Sequence, residues 1–444
     1  MKYEPVIGLE VHVELNTKSK MFCRCFADYF SKEPNTHTCP ICLGLPGALP
    51  YTNKEAITKC IQIGLALNCK IVDLSRFERK NYFYPDLPKG YQISQYRWPL
   101  CVEGWLEVED KEGNVSKIRI NRVHQEEDTG KLTHSDGQTL IDFNRSGVPL
   151  VEIVTEPDFT DPSQVKDYAK KLQQIFRYLS VSNADMEKGD MRLEANVSVR
   201  PVGQKELPNY RVELKNINSF RFMTAAIEYE IKRQIEALEK GEKLTQETRG
   251  WNEDKRETYL QRSKEEAHDY RYFPEPDLPE LKMKSEEERV KEEMVELPQA
   301  KMQRFVSEYG ISKQNAQVLV ELKEVGYYFE KAVKLGEAQQ IKPQELANYI
   351  VNQKITLASQ DQVLRAVEFI AAKRVGIIED EAVIKKIVLE VIKKNPKSVE
   401  DYKRGKLNAL QALIGGVMRK TQGKVNVEKV MVVLEKKLKS GDTP

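Results

Sequence analysis

Ile7-Gly8-Leu9-Glu10-Val11-His12-Val13-Glu14 alternates apolar and polar residues with a period of two. Successive side chains of a strand point to opposite faces, so Leu9, Val11 and Val13 form an apolar face while Glu10, His12 and Glu14 share the other. Two carboxylates flanking an imidazole repel each other unless a cation, a proton or solvent intervenes. Taken alone, this strand is equally well a solvated polar face. The pattern recurs in Lys117–His124, Leu193–Val199 and Tyr210–Lys215. Glu194, Asn196 and Ser198 share one face of the third strand, and Arg211, Glu213 and Lys215 share one face of the fourth. The strand ending at His124 runs directly into Gln125-Glu126-Glu127-Asp128. Side by side, these strands make an acid-lined floor with basic residues next to it. Oxygen donors with an occasional His suit Mg²⁺, which keeps waters and takes phosphate oxygens as further ligands.

Helical signals punctuate the strands. Asp161 and Pro162 supply an N-cap and a proline at the first helical position, and Val165, Tyr168, Leu172, Ile175, Phe176 and Leu179 then fall on one face. A second helix is predicted from Thr224 to Lys240, with Ile227, Ile231, Ile235 and Leu238 as its stripe and Gly241 as its end. Strands with helices packed on them imply an α+β body. After the proline-rich Phe273–Pro279 and the charge-dense Lys282–Glu296, a period of 3.6 takes over, as in Asn315–Leu322 and Val383–Ile392, and the last third reads as all-helical. A further break is predicted near Lys373–Glu379. The expected domains are residues 1–288, 289–374 and 375–444, in line with a prior of roughly 150 residues per domain.

No apolar run approaches the roughly 18 residues needed to cross a bilayer. The N-terminus carries no leader pattern, so a cytoplasmic location is expected. The net charge of +2 conceals an asymmetry: residues 383–444 hold 15 Lys and Arg against 6 Asp and Glu, leaving 55 against 62 for the rest. Contacts to a phosphate backbone belong first at the basic tail, although a solvated Lys-rich helix face accounts for the charge as well. Neither a phosphate-binding G-x-x-x-x-G-K-[ST] loop nor a strand-borne G-x-G-x-x-G occurs, so nucleotide use does not follow from the glycines.

Four of the seven cysteines are grouped as C-x-C-x13-C-x2-C: Cys23, Cys25, Cys39 and Cys42. Two short-spaced pairs supply four thiolates for a tetrahedral structural Zn²⁺, with His37 as a substitute ligand. Such a closed site in the loop 23–42 would pin the loop and not catalyse. Cys60, Cys69 and Cys101 lack metal spacing and read as core residues.

Longer strings carry a resemblance. Ile7–Glu14, Arg79–Asp86, Tyr91–Gln95, His124–Asp128, Asp142–Pro149, Glu213–Phe220 and Asp269–Asp277 resemble the B subunits of the glutamyl- and aspartyl-tRNA amidotransferases, as does Gly405–Gly423. The resemblance implies a β-rich cradle of antiparallel or mixed sheet with packed helices, then an all-α helical domain and a small all-α, tRNA-binding tail. It implies ATP- and Mg²⁺-dependent phosphorylation of the side-chain carboxylate of misacylated Glu-tRNA(Gln) or Asp-tRNA(Asn). Amidation would follow with ammonia that an A subunit releases from glutamine, in a heterotrimer with a C subunit. A non-catalytic tRNA-binding scaffold is the alternative.

Carried over by position, Glu10, His12, Glu126 and Glu213 match metal-site residues. Glu126, His12, Glu10, Lys80 and Lys89 are the candidate catalytic groups, with Asn81 beside Lys80 in the same segment. Glu127, Glu194, Asn196 and Lys215 are the candidate nucleotide contacts, and the four cysteines match the family's zinc-binding version. Glu194 stands where the family has Asp, which moves that carboxylate outward by one methylene. The helical region is also shorter than in the family.

Overall fold

Tyr3–Glu14 is the central strand of a nine-stranded sheet. In spatial order the strands are Glu257–Ser263, Glu247–Asn252, Val212–Ile217, Met191–Pro201, Tyr3–Glu14, Pro149–Thr155, Val115–Glu127, Cys101–Glu109 and Lys70–Ile71. Neighbours are antiparallel except Val212–Ile217 and Glu247–Asn252, which run parallel. This computed structural model describes residues 2–263, 269–353, 360–374, 378, 380–406, 408–421 and 423–439. The chain forms two compact units, Met1–Pro298 and Gln299–Pro444. The break predicted near Lys373–Glu379 falls for the most part outside the described residues.

In the first unit, helices Lys54–Ala66, Pro162–Tyr178 and Phe220–Glu239 bury their stripes against the apolar face of the sheet. Leu9, Val11 and Val13 share one core with Ile57 and Ile61 of the first helix, Tyr168, Leu172 and Phe176 of the second, and Met223 and Ile227 of the third. Each such side chain contributes about 1.5–3 kcal/mol on leaving water. The helices start where their caps stand. Asp161 accepts from Ser163 N, and Gln164 closes the capping box. Ser219 accepts from Phe222 N and so starts the third helix at Phe220, earlier than the stripe alone predicts. Gly241, at φ +77°, follows its end. With helices on one face, the polar face of the central strand is left for chemistry.

A small three-stranded sheet, Phe273–Pro274, Glu78–Asn81 and Tyr91–Ser94, adjoins the end of the strand Val115–Glu127. That strand runs three residues beyond His124, the end predicted from the sequence, because each polar residue of Gln125-Glu126-Glu127 is bonded where it lies.

The second unit is helical. Pro298–Tyr309, Lys313–Leu319, Lys323–Gly336, Pro343–Asn352 and Gln360–Arg374 are followed by Glu381–Lys394, Pro396–Lys403, Asn408–Lys420 and Val427–Lys439. Phe305 and Phe329 pack at 4.9 Å in its first part. In the last part, Ile384, Val388, Leu413, Val417, Val430 and Leu434 form a core of their own. The architecture is the predicted α+β body followed by an α-helical region.

Candidate active site and cysteine cluster

Strand register assembles the site. His12 lies opposite Glu152, and Glu152 opposite His124, so three adjacent strands place His12, Glu152 and His124 in one row. Glu126 follows His124 by two residues and shares its face. Glu152 Oε2 lies 3.1 Å from His124 Nε2 and 3.7 Å from His12 Nε2, and Glu126 Oε1 lies 3.5 Å from His124 Nε2. Ser94 Oγ donates to Glu126 Oε1 at 2.6 Å, and Gln92 Nε2 to Glu126 Oε2 at 3.3 Å.

Next to this row, Glu10 pairs in register with Glu194, and Asn196 with Glu213. Asn196 Nδ2 donates to Glu10 Oε1 at 3.0 Å. Lys215 Nζ lies 2.7 Å from Glu194 Oε2 and 3.2 Å from Glu213 Oε1, and Thr248 donates to Glu213 at 3.0 Å. The floor thus carries two donor groups, His12 with Glu126 and Glu152, and Glu10 with Glu194 and Glu213, each with donor atoms within 4.8 Å of one another.

The charges on this face hold one another. Burial and the repulsion of Glu152 oppose the charge of Glu126, yet Lys80 and His124 outweigh them and lower its pKa. Burial likewise opposes the charge of Glu152, but His124, His12 and Lys80 hold its pKa well below the usual carboxylate range. The pKa of His124 is raised: burial disfavours its cation, but Glu152 and Glu126 prevail. Lys80 is raised for the same reason, with burial opposing and Glu126 foremost among the groups that win. For Lys215, burial is overcome by Glu194 and Glu213. Glu10 moves the other way, its pKa raised by burial and then by Glu152 and Glu194. A carboxyl that resists ionisation among other carboxylates is where an added cation gains most.

Both groups offer oxygen donors, one with an imidazole. The His12 group adds an imidazole to its carboxylates, and the Glu10 group holds the carboxyl that resists ionisation.

Not every predicted residue joins this floor. Glu127, one step along the strand from Glu126, takes the opposite face, where it accepts from Ile93 N at 2.9 Å and pairs with Lys89. Lys89 and Glu127 line a cavity of about 250 Å³ with Cys23, Cys42, Arg79 and Asp277. Asp128, third of the consecutive acids, binds Arg192. Lys80 acts on the floor from the small sheet, its charge coupled to Glu126 and Glu152 and its Nζ over the Tyr270 ring at 5.3 Å, while Asn81 only ties that strand to the Arg271 carbonyl at 2.9 Å. Ser198 donates to the Val6 carbonyl and Arg211 precedes its strand, so neither belongs to the cluster. Sequence reasoning misses Glu152, a lone carboxylate within an apolar strand, and gives His124 only as a strand end. The one signal in the chain is that Glu152 interrupts Leu150, Val151, Ile153 and Val154.

The four predicted cysteines come together, without His37. Sγ of Cys39 and Sγ of Cys42 are 3.9 Å apart, against the about 3.8 Å edge of a tetrahedron with Zn–S bonds of about 2.3 Å. Lys20, fully buried, places Nζ 3.7 Å from Cys42 Sγ, a counter-charge for a doubly negative four-thiolate zinc centre. The hydrogen bond from Cys23 and then Lys20, against burial, bring the Cys42 thiol down to about 5. Cys60, Cys69 and Cys101 lie in the core.

Comparison with known proteins agrees with this architecture. Residues 5–289 match the GatB/GatE catalytic domain, and residues 330–438 match the GatB domain. The chain is 47% identical to the B subunit of the aspartyl/glutamyl-tRNA(Asn/Gln) amidotransferase of Thermodesulfovibrio yellowstonii, covering 99% of this chain and 100% of that protein. It is 45% identical to the corresponding protein of a Roseiflexus species and 44% identical to that of Thermotoga maritima, each over 99% of both chains. With the acid and histidine rows lying inside the matched catalytic domain, the chain belongs to the family of aspartyl/glutamyl-tRNA(Asn/Gln) amidotransferase B subunits.

Proposed function

We propose that this chain, as the B subunit of an amidotransferase, uses ATP to phosphorylate the side-chain carboxylate of Glu-tRNA(Gln) or Asp-tRNA(Asn), and that ammonia then displaces phosphate to give Gln-tRNA(Gln) or Asn-tRNA(Asn). The observation that carries this is the row His12, Glu152 and His124 with Glu126 beside it, on the sheet face that the helices leave uncovered. A carboxylate is a poor electrophile. Its oxygen attacks the γ-phosphorus of ATP, ADP leaves, and the acyl carbon gains a good leaving group. Ammonia adds to that carbon, the carbon–oxygen bond breaks, and phosphate departs with the carboxylate oxygen.

Phosphoryl transfer depends mainly on positioning and charge neutralisation. His12, Glu126 and Glu152 would hold Mg²⁺, with Glu10, Glu194 and Glu213 as a further donor set. Bound there, Mg²⁺ supplies charge neutralisation for the phosphates. His124 orients Glu126 and Glu152 through its Nε2, Ser94 and Gln92 fix Glu126, and Lys80 brings a cation to the same face. Lys215 and Asn196 hold the second donor set in place.

The ammonia comes from glutamine through an A subunit, with a C subunit completing a heterotrimer. The residues 375–444, as a basic tail domain, contact tRNA phosphates. A structural Zn²⁺ on Cys23, Cys25, Cys39 and Cys42 pins the loop 23–42. Among the described residues no helix is long and apolar enough to cross a membrane, and the work belongs in the cytoplasm beside translation.

The test is isotopic. Glu-tRNA(Gln) carrying ¹⁸O in its side-chain carboxylate is converted by the assembled complex with ATP, Mg²⁺ and glutamine. One labelled oxygen in the released phosphate supports the acyl phosphate route. Amidation that leaves phosphate unlabelled would overturn it.

A further inference from the structure

Arg122 precedes His124 by two residues and Glu126 by four on the strand Val115–Glu127, so it shares their face. At about 3.4 Å per residue, its α-carbon is about 7 Å from that of His124. The register sets Arg122 opposite Val154, and Val154 opposite Glu10, in the row adjoining His12, Glu152 and His124. Val102 opposes Arg122 on its other side.

Two other cations of this face are committed to carboxylates, Lys215 to Glu194 and Glu213 and Arg192 to Asp128. Among the described residues, no carboxylate lies within ion-pair distance of Arg122. Its Nε is buried without an acceptor, and one terminal nitrogen reaches only Asn121 Oδ1, at 3.4 Å. The guanidinium lies 5.2 Å from the centre of the Tyr96 ring. That ring stacks on Tyr272 at 4.6 Å and 15°, and the Tyr96 backbone N–H is tied to Glu78 at 3.0 Å. A guanidinium held against a fixed aromatic wall, with a desolvated N–H unsatisfied, is pre-organised for an anion.

We propose that Arg122 binds a phosphate oxygen of the nucleotide and holds it at the edge of the acid and histidine floor, an inference that rests on the function proposed above. A phosphate matches the guanidinium fork and carries more charge than a side-chain carboxylate. Pairing with Arg122 would also blunt the substrate carboxylate as a nucleophile, so the phosphate is the better partner. The Tyr96–Tyr272 pair backs the guanidinium and is the positioning element.

The test uses the complex of this chain with its A and C subunits, comparing wild type with Arg122→Gln, Arg122→Lys and Tyr96→Leu. For Arg122→Gln, kcat/KM for ATP falls about 100-fold, and the Kd of a non-hydrolysable ATP analogue in equilibrium dialysis rises about 10- to 100-fold. The KM for Glu-tRNA(Gln), the tRNA affinity and the glutaminase activity stay at wild-type values. Arg122→Lys recovers about tenfold in kcat/KM for ATP, because it restores charge without the fork. Tyr96→Leu, which keeps the guanidinium, shows the same ATP-selective loss at about tenfold and decides the matter if Arg122→Gln does not assemble. ATP kinetics and analogue binding within twofold of wild type in Arg122→Gln, or in Arg122→Lys and Tyr96→Leu where Arg122→Gln does not assemble, would overturn the assignment. So would a loss confined to the KM for Glu-tRNA(Gln), which would place a tRNA phosphate on Arg122. The ¹⁸O experiment on wild type reports on the phosphorylation route separately from either outcome.

Discussion

Glu152 Oε2 lies 3.1 Å from Nε2 of His124, its neighbour across the strand pair. His12 stands 3.7 Å from the same oxygen. One carboxylate thus stands between two imidazoles on the strands either side of its own, and its negative charge, held well below the usual pKa, keeps His124 inclined to a proton. Glu152→Gln removes that charge without changing the volume. ADP formation in the presence of Glu-tRNA(Gln) is expected to fall by about 100-fold or more, while tRNA binding and glutaminase activity are unchanged. Rapid-quench measurement of ADP in the assembled complex checks this.

The cysteine cluster gives an expectation independent of catalysis. The purified chain is expected to hold one zinc per chain by elemental analysis, and Cys42→Ser to lose it. A closed four-thiolate site lacks an open position for substrate, so the variant loses stability before it loses chemistry. Its melting temperature drops by on the order of 5 °C, while the KM for ATP of the surviving complex stays near wild type.

Asn53 caps the helix Lys54–Ala66, accepting from Ala56 N at 3.2 Å, and its amide also donates to the Ser19 carbonyl at 3.0 Å. Asn53→Ala therefore loses a cap and a tie to the segment leading into the Cys23 loop together. Chemical denaturation is expected to register a loss of about 1–2 kcal/mol. A substitution that left the midpoint unchanged would show that backbone contacts alone hold this end.

A pH dependence follows from Asp158. Arg119 Nε reaches Asp158 Oδ2 at 2.9 Å and Arg119 Nη2 reaches Oδ1 at 2.7 Å, and the Arg119 N–H adds a third bond. Burial opposes the Asp158 charge, but these bonds win and lower its pKa. A carboxyl with a lowered folded pKa contributes stability above its unfolded value of about 3.9, and loses it as pH falls through the folded value. With Arg119 largely exposed, the tie is worth no more than about 1 kcal/mol. Asp158→Asn should therefore lower stability at pH 7 and shrink the wild-type advantage towards pH 3, as urea midpoints at both values would reveal.

Much of this is readable in the chain, and the remainder depends on register. The period of two in Ile7–Glu14 identifies the central strand and its polar face, and the spacing of Cys23, Cys25, Cys39 and Cys42 identifies their cluster. Asp161-Pro162 marks a helix start that the capping box confirms. Glu152 is hidden because one carboxylate in an apolar run reads as a buried strand. Its role appears only when that strand pairs with Tyr3–Glu14 on one side and Val115–Glu127 on the other, contacts more than a hundred residues apart for the first and over twenty for the second. The acids Glu126, Glu127 and Asp128 are legible as a group, but strand alternation separates them. Glu126 joins the floor, Glu127 turns to Lys89, and Asp128 binds Arg192.

The most direct measurement is single-turnover conversion of Glu-tRNA(Gln) by the assembled complex with ATP, Mg²⁺ and glutamine, comparing wild type with Glu126→Gln. Glu126 is bonded by Ser94 and Gln92 and faces His124, so its amide keeps the packing and loses the charge. The account predicts that ADP formation and amidation both fall by about 100-fold or more in Glu126→Gln while tRNA affinity is retained. Conversion within twofold of wild type would contradict it and leave the chain a tRNA-binding scaffold.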